Sequence, residues 1–236
     1  MNPENQFPAH LQIIPLPLPF RMGSVNCYLI ETDSGYTLID TGGSNNRKAL
    51  SEALLQAGCL PGRLNLILLT HGDFDHTGNA TNLRRTFGGK IAMHTADAKM
   101  GESGDMFANR RQPNFLIRLL VPLFTGFGKA ERFSPDVLLE DGQDLAPYGL
   151  EARVIAVPGH SKGSIAIQAG DSLFCGDLLE NIKKPALTNL VDDLHAAQVS
   201  LQRLAQIQAV TVYPGHGKPF AAEWISLCST TVKPRN

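Results

Sequence analysis

The feature that most constrains this chain is the hexapeptide His71-Gly72-Asp73-Phe74-Asp75-His76, which follows the apolar run Leu64–Leu69 with only Thr70 between them. Four side chains able to bind a cation fall within six positions. A buried strand fixes the backbone where it ends, so a loop at that end can hold several donors toward one point. Residues two apart in extended chain, such as His71 and Asp73, project the same way. Asp75 and His76 lie one turn further on. A lone His or Asp here reads as a polar cap for the following helix; four together point to a metal site. Three more runs repeat the arrangement. Val157-Pro158-Gly159-His160, Phe174-Cys175-Gly176-Asp177 and Tyr213-Pro214-Gly215-His216 each end an apolar segment in glycine and then a residue of ligand type. Any one alone is an ordinary turn. Four strand ends that deliver His or Asp to one sheet edge are the pattern of a metal centre. Imidazole and carboxylate together suit zinc, iron or manganese. There are enough ligands for two ions, and such a pair lowers the pKa of a water and polarises a carbonyl or phosphoryl oxygen.

The rest of the chain predicts the scaffold. Leu11–Leu18 is apolar but carries Pro15 and Pro17, which suits an edge strand. Asn26–Thr32 and Tyr36–Asp40 flank Asp33-Ser34-Gly35 and read as a hairpin. Arg47–Ala57 has apolar residues at helical spacing and stops at Gly58. Further helices are expected over Asn79–Phe87 and Asp192–Gln208. Strands are expected at Lys90–His94, Val137–Leu139, Leu150–Val157, Ser164–Ala169, Ser172–Cys175 and Val210–Tyr213. Strands alternating with helices imply an α/β fold. Met100–Glu131 breaks the alternation and reads as one or two amphipathic helices inserted at about 100–131. His94 and His195 read as structural or surface residues.

Composition removes other classes. With 43% hydrophobic and 18% charged residues the chain is globular rather than disordered. Its 236 residues suit a single domain spanning 1–236. A net charge of −1 gives no reason to expect nucleic acid. No apolar stretch reaches the length of a membrane span, and Met1–Pro19 does not read as an export signal, so a cytoplasmic location is expected. Cys27, Cys59, Cys175 and Cys228 are widely spaced and read as buried thiols.

These residues carry a resemblance. The order His71-x-Asp73-x-Asp75-His76, then His160, Asp177 and His216, resembles the metallo-β-lactamase superfamily from Asn26 to about Pro219, and Asp40-Thr41-Gly42 after a strand adds to the likeness. The resemblance implies an αββα sandwich, two mixed β-sheets flanked by helices. It implies a first metal held by His71, Asp73 and His160, a second held by Asp75, His76 and His216, and Asp177 between them. Asp40 would buttress the site without binding metal. One residue departs from the family pattern: Asp73 stands where imidazole is usual. A carboxylate is a harder, charged ligand, so although zinc is the expected pair of ions, iron or manganese also fits.

Two functions follow from the resemblance. The first is hydrolysis of a small ester, thioester or lactone, in which a hydroxide bridging the metals attacks the carbonyl and Asp75 relays a proton. The second is an iron-dependent oxidoreductase of the persulfide dioxygenase or diiron type. The segment at about 100–131 reads equally as a lid, whose arginines with Lys162 would meet a substrate carboxylate, and as packing or a homodimer contact. About 20 residues follow His216, too few for an added helical domain.

Overall fold

The computed structural model describes residues 11–110 and 131–231. Strands β1 (Leu11–Pro17), β2 (Ser24–Thr32), β3 (Gly35–Ile39), β4 (Leu64–Leu69), β5 (Lys90–His94) and β6 (Val137–Leu139) form one sheet in chain order. It is mixed: β1–β2 and β2–β3 pair antiparallel, and β3 through β6 pair parallel. The proline-bearing β1 lies at its edge, where missing N–H donors cost nothing. The second sheet runs β13 (Phe220–Ala221), β12 (Thr211–Pro214), β9 (Ser172–Gly176), β8 (Ile165–Ala169), β7 (Arg153–Ala156). Only its β12–β9 pair is parallel. A two-stranded ribbon, β10 (Leu179–Glu180) with β11 (Ala186–Leu187), completes the described strands.

Four layers follow from where each strand's side chains go. Along β4, Leu64, Ile67 and Leu69 face a core shared with Leu50 and Leu54 of helix α1 (Arg47–Gln56). Leu83 and Phe87, from another helix (Ala80–Phe87), join the same core. Leu66 and Leu68 face the opposite way, into a core between the sheets with Tyr28, Ile165, Ile167, Phe174 and Tyr213. This is why β4 is apolar from Leu66 onward: strand side chains alternate between faces, and here both faces are buried. Across the second sheet, Leu173, Cys175 and Val212 pack on Ala197, Leu201 and Leu204 of a helix at Leu194–Leu204 and on Ile225 of one at Glu223–Thr231. The order is helix, sheet, sheet, helix: the expected αββα sandwich.

The helices are numbered in chain order: α2 (Phe74–Thr77), α3 (Ala80–Phe87), α4 (Ala98–Ser103), α5 (Leu194–Leu204) and α6 (Glu223–Thr231). The helix read over Asp192–Gln208 is α5, which begins later because the Asp193 carboxylate caps it by accepting from the Ala196 N–H. Of the expected insertion at about 100–131, α4 and the turns up to Arg110 are described; residues 111–130 lie outside the described residues. Cys27, Cys59 and Cys175 are buried free thiols. Among the described residues no helix is long and apolar enough to cross a membrane.

Candidate metal centre

The site lies beyond the carboxyl ends of the strands. β3 leads to Asp40, β4 to Thr70 and His71, β7 to His160, β9 to Asp177 and β12 to His216. Two backbone hydrogen bonds lock the sheets together at this edge: Ile165 N–H donates to Thr70 O (2.9 Å) and Asn26 N–H to Gly215 O (2.8 Å). The ligand loop bends through α2, where the N–H groups of His76 and Thr77 both donate to Asp73 O (3.0 Å each). That short helix was not read from the sequence, which put His71 and Asp73 in extended chain and Asp75 and His76 one turn further on. It turns Asp75 and His76 toward the second sheet. Gly215 permits the final approach, since a Cβ there would sit 2.0 Å from Asp177 Oδ1 and 2.8 Å from His76 Cε1.

All seven residues singled out in the sequence converge, in three overlapping groups able to hold an ion. These are His71, Asp73 and His160; Asp75, His76 and His216; and His71, His76 and Asp177. Within each group the ligand atoms lie within 4.8 Å of one another. The first two groups match the two triads that the family resemblance implied. The third places Asp177 between them, with Oδ1 3.3 Å from His76 Nε2 and Oδ2 3.1 Å from His216 Nε2 and 4.0 Å from His71 Nε2.

The outer nitrogen of each imidazole fixes the role of the inner one. His76 Nδ1 faces Asp40 Oδ2 (2.8 Å), His216 Nδ1 faces Ser24 O (2.8 Å), and His160 Nδ1 faces Leu190 O. Carboxylate and carbonyl oxygens only accept, so each Nδ1 carries a hydrogen and donates it. His71 Nδ1 meets Thr70 Oγ1 (3.0 Å); that hydroxyl already donates to Asp40 Oδ2 (2.8 Å), so it accepts from His71. All four rings therefore direct Nε2 inward, the arrangement that orients imidazole toward a cation.

The inner faces are suited to a cation. Among the described residues, His71 Nε2, His76 Nε2 and Asp177 Oδ1 are buried without a hydrogen-bond partner. Lone pairs of nitrogen facing carboxylate oxygens repel unless a proton or a metal lies between them. The charges around the rings create the same demand. Burial pushes His216 down, but Asp177 outweighs it and raises the ring to about 11. Burial is likewise outweighed at His76 by Asp177, Asp40 and Asp75, and at His160 by Asp73, so both are raised. His71 is lowered by burial and by its neighbour His76. Burial works against the charged forms of Asp73 and Asp177 as well. The neighbouring rings of His160 and His71 still hold Asp73 well below the usual carboxylate range, and those of His216 and His76 do so for Asp177. The donor set fits divalent cations.

Three supporting residues were not read from the sequence as such. Asp97, fully buried, accepts from Gly72 N–H (3.1 Å), Ser161 Oγ–H (2.6 Å) and Gly163 N–H (2.8 Å). It thus ties the loop after β4 to the loop after His160. Arg110 turns inward: its Nη1 pairs with Asp73 Oδ1 and its Nε lies 2.8 Å from Asp192 Oδ2. The lid reading gave the arginines of this segment a substrate carboxylate; Arg110 pairs with these two aspartates. Asp192 is the third. An aspartate in a short helical turn and an arginine in an insertion give no local signal of these roles. His94 accepts from the Ala96 N–H (3.1 Å) and His195 is exposed on α5, as read.

The model of the metallo-beta-lactamase superfamily matches residues 21–216. A probable metallo-hydrolase of Bacillus subtilis (strain 168) is 29% identical over 237 residues, covering 89% of this chain and 72% of that protein. The acyl-coenzyme A thioesterase MBLAC2 of Homo sapiens is 27% identical over 221 residues, covering 84% of this chain and 75% of that one. Some curated relatives are much longer, and of one of them this chain spans 58%. Among solved structures, a protein described in a di-iron-bound form superimposes with a TM-score of 0.66 at 27% identity, covering 91% of this chain and 98% of that one.

Proposed function

This chain belongs to the metallo-β-lactamase superfamily, and on that footing we propose that it is a two-metal hydrolase that cleaves a small acyl ester or, by preference, an acyl thioester. The observation that carries this reading is the convergence of four inward Nε2 atoms and three carboxylates, with His71 Nε2, His76 Nε2 and Asp177 Oδ1 left without partners. Divalent cations held there would supply an activated water and positive charge for the carbonyl oxygen, with zinc the expected pair and iron or manganese compatible. Hydrolysis adds water across the acyl–sulfur bond: a carbon–oxygen bond forms, the carbon–sulfur bond breaks, and the thiol leaves with a proton. Asp75 is buried with Oδ2 3.4 Å from His216 Nε2, and it is the carboxylate we assign to relaying that proton.

The surroundings favour an apolar acyl group. The four most exposed large apolar side chains among the described residues are Leu190 (75%), Phe20 (71%), Ile182 (63%) and Met22 (58%). Each is tied in sequence to an atom that supports the site. Leu190 O accepts from His160 Nδ1, Ser24 O from His216 Nδ1 just after Phe20 and Met22, and Asn181 N–H donates to His216 O just before Ile182. Apolar side chains exposed on the segments that support the site favour a binding surface there. The thioesterase among the relatives adds support for this substrate class.

The test is a panel of acyl thioesters, oxygen esters and lactones of graded chain length, assayed with zinc-, manganese- and iron-loaded protein. Thioester turnover that rises with acyl length supports the reading; no turnover of any carbonyl substrate overturns it. Asp73 and the di-iron neighbour favour a second reading, an iron-dependent oxidoreductase. Oxygen consumption with a persulfide by the iron-loaded protein, without turnover of esters or thioesters, would select it.

A further inference from the structure

The two oxygens of Asp73 serve different partners. Oδ2 faces the site, 3.1 Å from His160 Nε2 and 3.7 Å from His71 Nε2. Oδ1 faces away and receives Nη1 of Arg110. The same guanidinium donates from Nη2 to the backbone carbonyl of His160 (3.2 Å), and its Nε is paired with Asp192. Arg110 and Asp73 are both buried, with side chains 8% and 10% exposed, whereas the Asp192 carboxylate is about a third exposed and its charge is screened by water. Arginine is suited to this task because its donors form a rigid planar fork that engages several acceptors at once. One residue thereby fixes two of the three members of the His71, Asp73 and His160 triad.

The sequence raised a difficulty at this point. A carboxylate where imidazole is usual adds a negative charge, is shorter, and can offer two oxygens in place of one nitrogen. Arg110 answers each part. Its charge offsets that of Asp73, its Nη1 occupies Oδ1, and its hold on His160 O brings the two ligand loops together. We propose that Arg110 is a positioning residue that completes Asp73 as a stand-in for imidazole, so that Asp73 and Arg110 act as one unit presenting a single oxygen to a cation.

The inference rests on the metal-binding part of the reading above, and its test reads metal binding rather than turnover. Purified wild type, R110Q, R110K, D73H and R110Q/D73H are stripped, reloaded with zinc, and titrated against a chromophoric chelator, with bound zinc counted by elemental analysis. R110Q should weaken the first zinc lost by about ten-fold or more, the scale seen when partners that orient ligands are removed. R110K, which keeps the charge but not the fork, should restore part of the affinity. In the D73H background, where imidazole needs no completion, R110Q should change affinity less than about three-fold, because coupled residues are non-additive. Equal weakening in both backgrounds overturns the proposal and leaves Arg110 a general structural residue, as does no weakening in either. Should R110Q fail to fold, R110K compared with R110K/D73H carries the same comparison. A wild type that binds neither zinc nor, in the same titration, manganese or iron overturns this inference and the functional reading together; bound metal with additive variants overturns this inference alone.

Discussion

Oδ2 of Asp40 lies 2.8 Å from Nδ1 of His76 and accepts its hydrogen. The same carboxylate accepts from Thr70 N–H and Thr70 Oγ1–H, each at 2.8 Å. Through Thr70 it also sets the orientation of His71. Asp40 does this from a left-handed backbone conformation, φ 58°, which aspartate tolerates better than bulkier residues. Asp40→Ala removes the acceptor for one ligand and leaves two buried Thr70 donors unsatisfied, at about 1–3 kcal/mol each. We predict a lower melting temperature and metal affinity reduced about 10- to 100-fold, read by thermal denaturation and chelator competition. Unchanged values in both would remove Asp40 from the site.

Asp97 tests whether the two ligand loops are held as one piece. Asp97→Asn puts an N–H₂ group where three donors now converge, so at least one donor loses its acceptor. A methyl on Gly163 would meet Asp97 Cγ at 2.6 Å, so the two loops are closely packed at this point. Destabilisation of about 1–3 kcal/mol is expected in denaturant titrations, together with loss of metal from the His71, Asp73 and His160 group before the other. Wild-type stability and full metal content in the variant would show that the loops are fixed by other means.

Metal binding should release protons. In the metal-free chain His216, raised to about 11, holds a proton at pH 7, and the raised His76 and His160 favour the same state. A cation needs each ring unprotonated at Nε2, so it displaces those protons, and affinity must fall as pH falls. Calorimetric zinc titrations in buffers of different ionisation enthalpy should give apparent enthalpies that vary with the buffer, and the zinc affinity at pH 6 should be lower than at pH 8. Buffer-independent enthalpies and a flat pH profile would contradict these protonation states.

The apolar rim makes a prediction about substrates. Leu190→Ser or Met22→Ser should raise KM for long acyl thioesters by about ten-fold, in line with about 1.5–3 kcal/mol for fully burying one such side chain, and leave short acyl substrates nearly unchanged. Equal effects on short and long substrates would place the acyl chain elsewhere.

Much of this molecule is legible in its sequence, and the reason differs by element. β4, β5 and β6 fall on the predicted residues: β4 alternates between two buried faces, β5 starts after Gly88-Gly89, and β6 is the apolar run Val137–Leu139 between Asp136 and Glu140. The seven clustered residues were legible because ligand types recurred after strand ends. The partners that orient them were mostly hidden. Ser24 and Leu190 act through backbone carbonyls, which no side chain advertises, and they reach His216 and His160 across 192 and 30 positions. Arg110 reaches Asp73 and His160 across 37 and 50 positions, and Asp97 reaches Gly163 across 66. The two-residue strands β10, β11 and β13 are too short to show periodicity, and α2 exists because Asp73 O gathers two N–H donors within the ligand loop.

The central claim is that the seven residues hold two ions. The most direct measurement is the number of divalent ions bound per chain after stripping, reloading with zinc and exhaustive dialysis, counted by elemental analysis against protein concentration. The arrangement of the two triads around Asp177 predicts two equivalents in the wild type, falling to one in His216→Ala. One equivalent or fewer in the wild type, or two retained in His216→Ala, would contradict it.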